Sequence, residues 1–360
     1  MHSRNRYSSP RRVLKALARH PLPPPLKVSQ PSQGISPLVT LNNGRKMPLV
    51  GFGLWKVPGG NTADLVYEAI RNGYRHFDSA ADYGIEQELG EGIHRALKEG
   101  LVSREDLWIT SKLWNTYHAK EHVREACLKS LRDIGIDYFD AYLIHFPLAL
   151  RYVPIEERYP PGWFYDPDAD HPKVEVTHIP VSETWRGMEQ LYFEGLAKTI
   201  GVSNFNVQLI RELLSTCDVK PAINQVEIHP YFSQKNLVRY CRGQSIMVTA
   251  YSPLGAGSYT SLGMADASES VLEDEKVKTI ASKHSKTPAQ VTLKWGVQRG
   301  TAVIPKSSRT ERLIENISLF DFELAEEDME TMESLNKNRR FLDPAIFLEK
   351  VFNTFCPLFD

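Results

Sequence analysis

From residue 38 onward, short apolar runs alternate with longer stretches in which apolar side chains recur at helical spacing. The runs at 49–52, 74–77, 107–111, 138–145, 196–201, 222–226, 247–250 and 302–304 predict eight strands. The stretches 64–72, 86–99, 119–134, 181–194, 207–216, 233–242, 273–284 and 309–316 predict the helices between and after them, and 288–299 and 325–335 predict two more. Ahead of the first run, Leu38 to Met47 reads as a hairpin, because Asn43-Gly44 supplies the positive φ angles of a tight turn. Alternating strands and helices favour a parallel sheet covered by helices. An open doubly wound sheet would announce its dinucleotide site with G-x-G-x-x-G after the first strand, but Gly51-Phe-Gly53 is followed by Leu54, Trp55 and Lys56. The expected fold is therefore α/β: a (β/α)8 TIM barrel with an N-terminal hairpin cap, two long βα loops at 146–180 and 252–272, and a C-terminal loop.

Composition narrows the function. Lys and Arg number 43 against 44 Asp and Glu, so no global field draws the chain to nucleic acid or anionic membrane. No apolar run approaches the length of about 18 residues that a membrane span needs. Cys127, Cys217, Cys241 and Cys356 lie far apart without ligand spacing, so no metal is expected. Residues 1–37 differ from the rest: no acidic residue precedes Asp64, while Arg4, Arg6, Arg11, Arg12, Lys15 and Arg19 crowd the start and prolines follow. This extension reads either as an organelle-targeting segment or as a disordered tail, with 38–360 as the barrel; without targeting, a cytoplasmic protein is expected.

Four polar residues fall at or just past the ends of the second, third and fourth strands: Asp78, Tyr83, Lys112 and His145. In a barrel those ends converge. A Lys beside a Tyr phenol favours the phenolate and is expected to lower its pKa, which suits Tyr83 to proton donation. Asp78 would hold the ammonium, and His145 would donate a hydrogen bond to a carbonyl oxygen gaining charge. Singly, each has a plain structural reading: a loop cap, a packed loop ring, a rim ion pair, a hydrogen-bonded core imidazole. Jointly they describe carbonyl reduction.

Five blocks, Phe77-Asp-Ser-Ala-Ala-Asp-Tyr-Gly84, Ile109-Thr-Ser-Lys-Leu-Trp114, Leu143-Ile-His-Phe-Pro147, Gly201-Val-Ser-Asn-Phe205 and Ile304-Pro-Lys-Ser307, resemble the aldo-keto reductase family in order and spacing. The resemblance runs roughly from Leu38 to Pro344 and implies a barrel that binds NADPH without a metal. It implies Asp78, Tyr83, Lys112 and His145 as the catalytic residues. It assigns Ser203, Asn204 and Gln225 to the nicotinamide carboxamide, Tyr251 to stacking on the ring, and Ser252, Pro253, Leu254 and Gly255 to a loop over the pyrophosphate. Lys306, Ser307, Ser308 and Arg312 match positions that grip the adenosine 2′-phosphate at a helix start, where backbone N–H groups also favour an anion. Glu315 and Asn316 match positions that meet adenine. Ser308 stands where fungal xylose reductases usually carry Asn, so NADH is expected as a secondary cofactor.

The loop from Tyr152 to Trp163 looks like that of xylose reductases and points to aldoses or other small aldehydes. Trp55, Trp114 and Phe146 would wall the substrate pocket. Leu342 replaces the Asn of the corresponding C-terminal segment, which opens the pocket to less polar aldehydes. Two other readings stay open: an aldose-phosphate reductase using Arg151 and Arg158, and a non-catalytic nicotinamide-binding regulatory barrel. The chain is expected to act as a monomer or homodimer.

Overall fold

A computed structural model describes residues 27–30, 36–343, 349, 354–355 and 357–359. Three short strands come first: β1 (Val28–Ser29), β2 (Leu38–Thr40) and β3 (Lys46–Pro48). The eight predicted barrel strands follow as β4 (Phe52–Gly53), β5 (His76–Asp78), β6 (Trp108–Leu113), β7 (Ala141–Ile144), β8 (Ile200–Ser203), β9 (Ile223–Glu227), β10 (Met247–Tyr251) and β11 (Ala302–Val303). All are parallel to their neighbours and pair in chain order from β4 to β11. The first and last edges meet, because Val50 bridges Val303 and the Gly51 and Gly53 amides donate to Val303 and Pro305 carbonyls at 2.9 and 3.1 Å. The sheet is thus a closed barrel, which removes its exposed edges. Gly53 makes the seam feasible: a Cβ there would sit 2.5 Å from the Ile304 carbonyl oxygen.

Among the described residues ten helices cover the outside: α1 (Thr62–Arg71), α2 (Glu86–Lys98), α3 (Lys120–Ile134), α4 (Val181–Glu194), α5 (Val207–Thr216), α6 (Lys235–Gly243), α7 (Glu275–His284), α8 (Pro288–Gln298), α9 (Thr310–Ile317) and α10 (Glu326–Glu333). Their apolar faces bury Leu65, Val66, Leu89, Ile93, Leu131, Met188 and Leu191 against the sheet. The helix starts follow local chemistry. Asn206 and Asp274 accept from backbone amides at the starts of α5 and α7, and Thr287 with Gln290 forms a reciprocal cap ahead of Pro288.

β2 and β3 form the predicted hairpin, and it closes the N-terminal mouth of the barrel. Val39, Leu41, Met47 and Leu49 pack on Trp108, Ala141, Ala222, Ile223, Met247 and Ala302, which stand at strand starts. Asn42 and Asn43 side chains donate to the carbonyls of Pro221 and Lys198, at 3.0 and 3.2 Å, and Arg45 pairs with Asp140. One strand was not foreseen: Val28 and Ser29 pair with Val39 and Leu38, ten residues ahead of the boundary drawn at 38. Of the extension at 1–37 read as a targeting segment or tail, residues 1–26 and 31–35 lie outside the described residues, as do Pro344, Phe347, Val351, Phe352 and Cys356. Among the described residues no helix is long and apolar enough to cross a membrane.

Candidate functional site

The C-terminal ends of the barrel strands open into a cavity of about 650 Å³. Parallel strands with alternating side chains deliver their polar residues here. Asp78 ends β5, Lys112 lies near the end of β6, His145 follows β7, Ser203 ends β8, Gln225 lies in β9 and Tyr251 ends β10. Tyr83 arrives on a short 3-10 turn, Ala81–Tyr83, after β5.

At the floor, the buried Lys112 ammonium donates to Asp78 Oδ1 at 2.6 Å, to the Ser79 carbonyl at 2.7 Å and to the Tyr83 hydroxyl oxygen at 3.3 Å. Those three acceptors match its three N–H donors. Because Tyr83 accepts from Lys112, its own proton is free to turn toward the cavity. Gln225 Nε2 donates to the other Asp78 oxygen at 2.6 Å, so the carboxylate is held at both ends. Burial draws the Lys112 ammonium below the ordinary lysine range, with Asp78 opposing the shift. Burial, reinforced by Lys112, holds the His145 imidazole well below its ordinary value and therefore neutral; its Nδ1 has no partner among the described residues. Its ring lies edge-on to Tyr83 and Trp114, with centroids 5.9 and 5.2 Å away.

The expected lowering of the Tyr83 pKa is overturned. Burial first, then the Asp78 carboxylate, pushes the phenol well above its ordinary value. The charge of Lys112 is matched at 2.6 Å by Asp78, so the phenol feels an ion pair rather than a lone cation.

Beside this group, Ser203 Oγ donates to the Gln225 carbonyl at 2.8 Å, Asn204 Nδ2 to the His145 carbonyl at 2.9 Å, and Tyr251 OH to Asn204 Oδ1 at 2.7 Å. Asn204 and Ser252 hold left-handed backbone, with φ of 65° and 48°, a conformation that turns the chain sharply at the strand ends. Ser252, Pro253, Leu254 and Gly255 line the cavity, and so do Lys306, Ser307, Ser308 and Arg312 at the approach to α9. Glu315 and Asn316 do not: Glu315 accepts from the Thr287 hydroxyl and Asn316 is buried within α9.

Lys56 and Lys306 also face the cavity, and each is pushed below the ordinary lysine value, by burial first and, for Lys56, by Lys306 as well. Among the described residues neither they nor Arg312 has a carboxylate within ion-pair distance. Uncompensated cations in a cleft are the donor set of an anion site, and they fit the phosphates of a dinucleotide.

Residues 49–337 match the profile of the aldo/keto reductase family. The chain belongs to that family. This aldo/keto reductase is 50% identical over 311 residues to a probable NAD(P)H-dependent D-xylose reductase of Aspergillus clavatus, covering 86% of the chain and 93% of the relative. It is 48% identical over 328 residues to an NADPH-dependent aldose reductase of Saccharomyces cerevisiae, covering 89% of the chain and all of the relative. Among solved structures it resembles the aldose reductase of Schistosoma japonicum, with a TM-score of 0.77, 38% identity and coverage of 86% of this chain and 95% of that one.

Trp55, Trp114, Phe146 and Leu342 line the cavity of the aldo/keto reductase. Sequence reasoning missed Lys56, Asp82, Trp163 and Tyr259. Trp163 lies edge-on to Trp114 at 4.9 Å, and Tyr259 lies 5.5 Å from Trp55. Asp82 is half-buried in the cavity wall with no hydrogen-bond partner among the described residues, and burial raises its carboxyl to about 7. Its signal was its place beside Tyr83, which alone does not tell a solvated carboxylate from a cavity one.

Proposed function

We propose that this aldo/keto reductase reduces the carbonyl of an aldose or other small aldehyde to the alcohol, with NADPH as the preferred and NADH as a secondary cofactor. The observation that carries the reading is the buried Asp78–Lys112–Tyr83 chain, which ends on the Tyr83 phenol in the cavity.

A reduced nicotinamide, held beside Tyr83 and His145, would supply the hydride for the carbonyl carbon. Tyr83 gives its proton to the carbonyl oxygen as that oxygen gains charge, and the Lys112 N–H on the phenol oxygen stabilises the phenolate that is left. Asp78 and the Ser79 carbonyl keep the ammonium in place through the step. Neutral His145 is suited to donate one hydrogen bond to the same carbonyl oxygen and to select how the substrate enters. Ser203, Asn204, Gln225 and Tyr251 are the residues that would hold the nicotinamide. Ser252 to Gly255 would cover the pyrophosphate, and Lys56, Lys306, Ser307, Ser308 and Arg312 would take the phosphates. Glu315 and Asn316 remain the adenine positions by resemblance, outside the cavity wall.

Aromatic walls with one unpartnered carboxyl, Asp82, suit a small polyhydroxylated substrate: the rings limit its width and the carboxyl accepts from a hydroxyl. The relatives named for D-xylose and aldose reduction support the same class. An aldose phosphate is less well served. Arg151 pairs with Glu175 at 2.9 Å, Arg158 donates to the Pro161 and Tyr165 carbonyls, and neither lines the cavity. A steady-state panel of kcat/KM for xylose, other aldoses, their phosphates and aromatic aldehydes, with both cofactors, tests the reading. Turnover of aldoses with NADPH above NADH is expected. Binding of NADPH without turnover of any carbonyl would leave a regulatory barrel in its place.

A further inference from the structure

Glu227 closes β9 and is fully buried, yet it belongs to none of the groups described so far. Among the described residues no lysine or arginine lies within ion-pair distance of it; its side-chain neighbour is the equally buried ring of His229, with Nε2 2.9 Å from Oε1. The remaining partners are two consecutive backbone amides of the C-terminal segment. Phe341 N–H donates to Oε1 at 2.7 Å and Leu342 N–H to Oε2 at 2.8 Å. Successive N–H groups converging on one anion fix the direction of the peptide between them, which an apolar contact would leave free to slide. A buried carboxylate is costly unless it is fully hydrogen-bonded, and apolar packing would anchor the segment at lower cost.

Leu342 reaches the site directly and Phe341 reaches it through Tyr259. The side chain of Leu342 lines the cavity. The ring of Phe341, fully buried, lies 4.9 Å from His229 and stacks at 6.0 Å on Tyr259, whose hydroxyl meets Ser252 Oγ at 2.6 Å. Arg339 secures the approach through Glu269 and the Met264 carbonyl. One carboxylate, in register with Tyr251 but hydrogen-bonded to none of Asp78, Tyr83, Lys112 and His145, therefore sets the position of a cavity wall.

We propose that Glu227 is a positioning residue for substrate selection: by fixing the amides of Phe341 and Leu342 it holds the Leu342 side chain as an apolar wall that discriminates aldehydes by the size of the part distant from the carbonyl. The proposal rests on the reductase reading, and its test separates the two. Propanal, too short to reach far from the carbonyl, and hexanal are compared as substrates of the full chain with NADPH. Glu227→Gln turns an N–H₂ toward an N–H, and is expected to raise KM for hexanal roughly tenfold with kcat within about twofold, while propanal kinetics hold. Leu342→Ala is expected to raise KM for hexanal likewise, and adding Glu227→Gln to it changes nothing more, since both act through one wall. Should Glu227→Gln fail to fold, Glu227→Asp serves: it keeps the charge but is one methylene short of both amides, and the same loss for hexanal is expected. Additive effects in the double variant, or equal changes for propanal and hexanal, overturn the positioning role. A wild-type chain inactive with every aldehyde overturns the reductase reading and this proposal with it; an active wild type whose selectivity ignores Glu227 overturns this proposal alone.

Discussion

Lys112 is at once buried, triply hydrogen-bonded and in contact with the phenol oxygen of Tyr83. Lys112→Met keeps the bulk of the stem but removes the N–H that would stabilise a phenolate. Turnover is expected to fall by roughly 10²- to 10⁴-fold while NADPH still binds, as read from single-turnover rates beside fluorescence titration; a near-normal rate would contradict the role. Asp82 offers a test of a different kind. Burial raises its carboxyl from 3.8 to about 7, so the fold penalises its ionised form. Its contribution to stability is therefore lost as pH rises between those two values, and the ionised acceptor becomes available to substrate above the upper one. KM for xylose should fall as pH passes through that region, and Asp82→Asn should flatten the profile, while a hydroxyl-free aldehyde shows no such step. The catalytic candidates were legible in sequence because they sit at strand ends, where the alternating pattern places them within a residue or so. Their protonation states were not: Tyr83 depends on how completely Asp78 neutralises Lys112, a property of distances rather than of order along the chain.

At the scale of elements, periodicity located every barrel strand and each outer helix among the described residues, since half-buried helices and fully buried strands differ in repeat. It overran the ends. The run at 138–145 yields a strand only at Ala141–Ile144, because Phe139 makes a separate bridge to Ala197 and His145 turns toward the cavity. The β1 strand was invisible, being two residues long and flanked by polar and proline-rich sequence. Helix packing holds information that no periodicity carries. Gly90 in α2 lies against the last turn of α3, where an added Cβ would press on the Ile134 carbonyl oxygen. Gly90→Ala, neutral or helpful in an isolated helix, should here lower the denaturation midpoint by the equivalent of about 1–3 kcal/mol, measured in urea. An unchanged midpoint would mean that the two helices can separate without loss.

For the molecule as a whole, net charge is −1, so no long-range field steers a ligand; attraction is local, to the cluster of Lys56, Lys306 and Arg312. If that cluster takes the extra phosphate of NADPH, thermal stabilisation by NADPH should exceed that by NADH at low ionic strength, and the gap should narrow as salt is raised. A gap indifferent to salt would point to a hydroxyl-reading site instead. The hairpin carries one more consequence. With Val39, Leu41, Met47 and Leu49 filling the opposite mouth, the barrel is a cul-de-sac. Whatever binds in the cavity therefore enters and leaves on the side where the strand ends carry their polar residues.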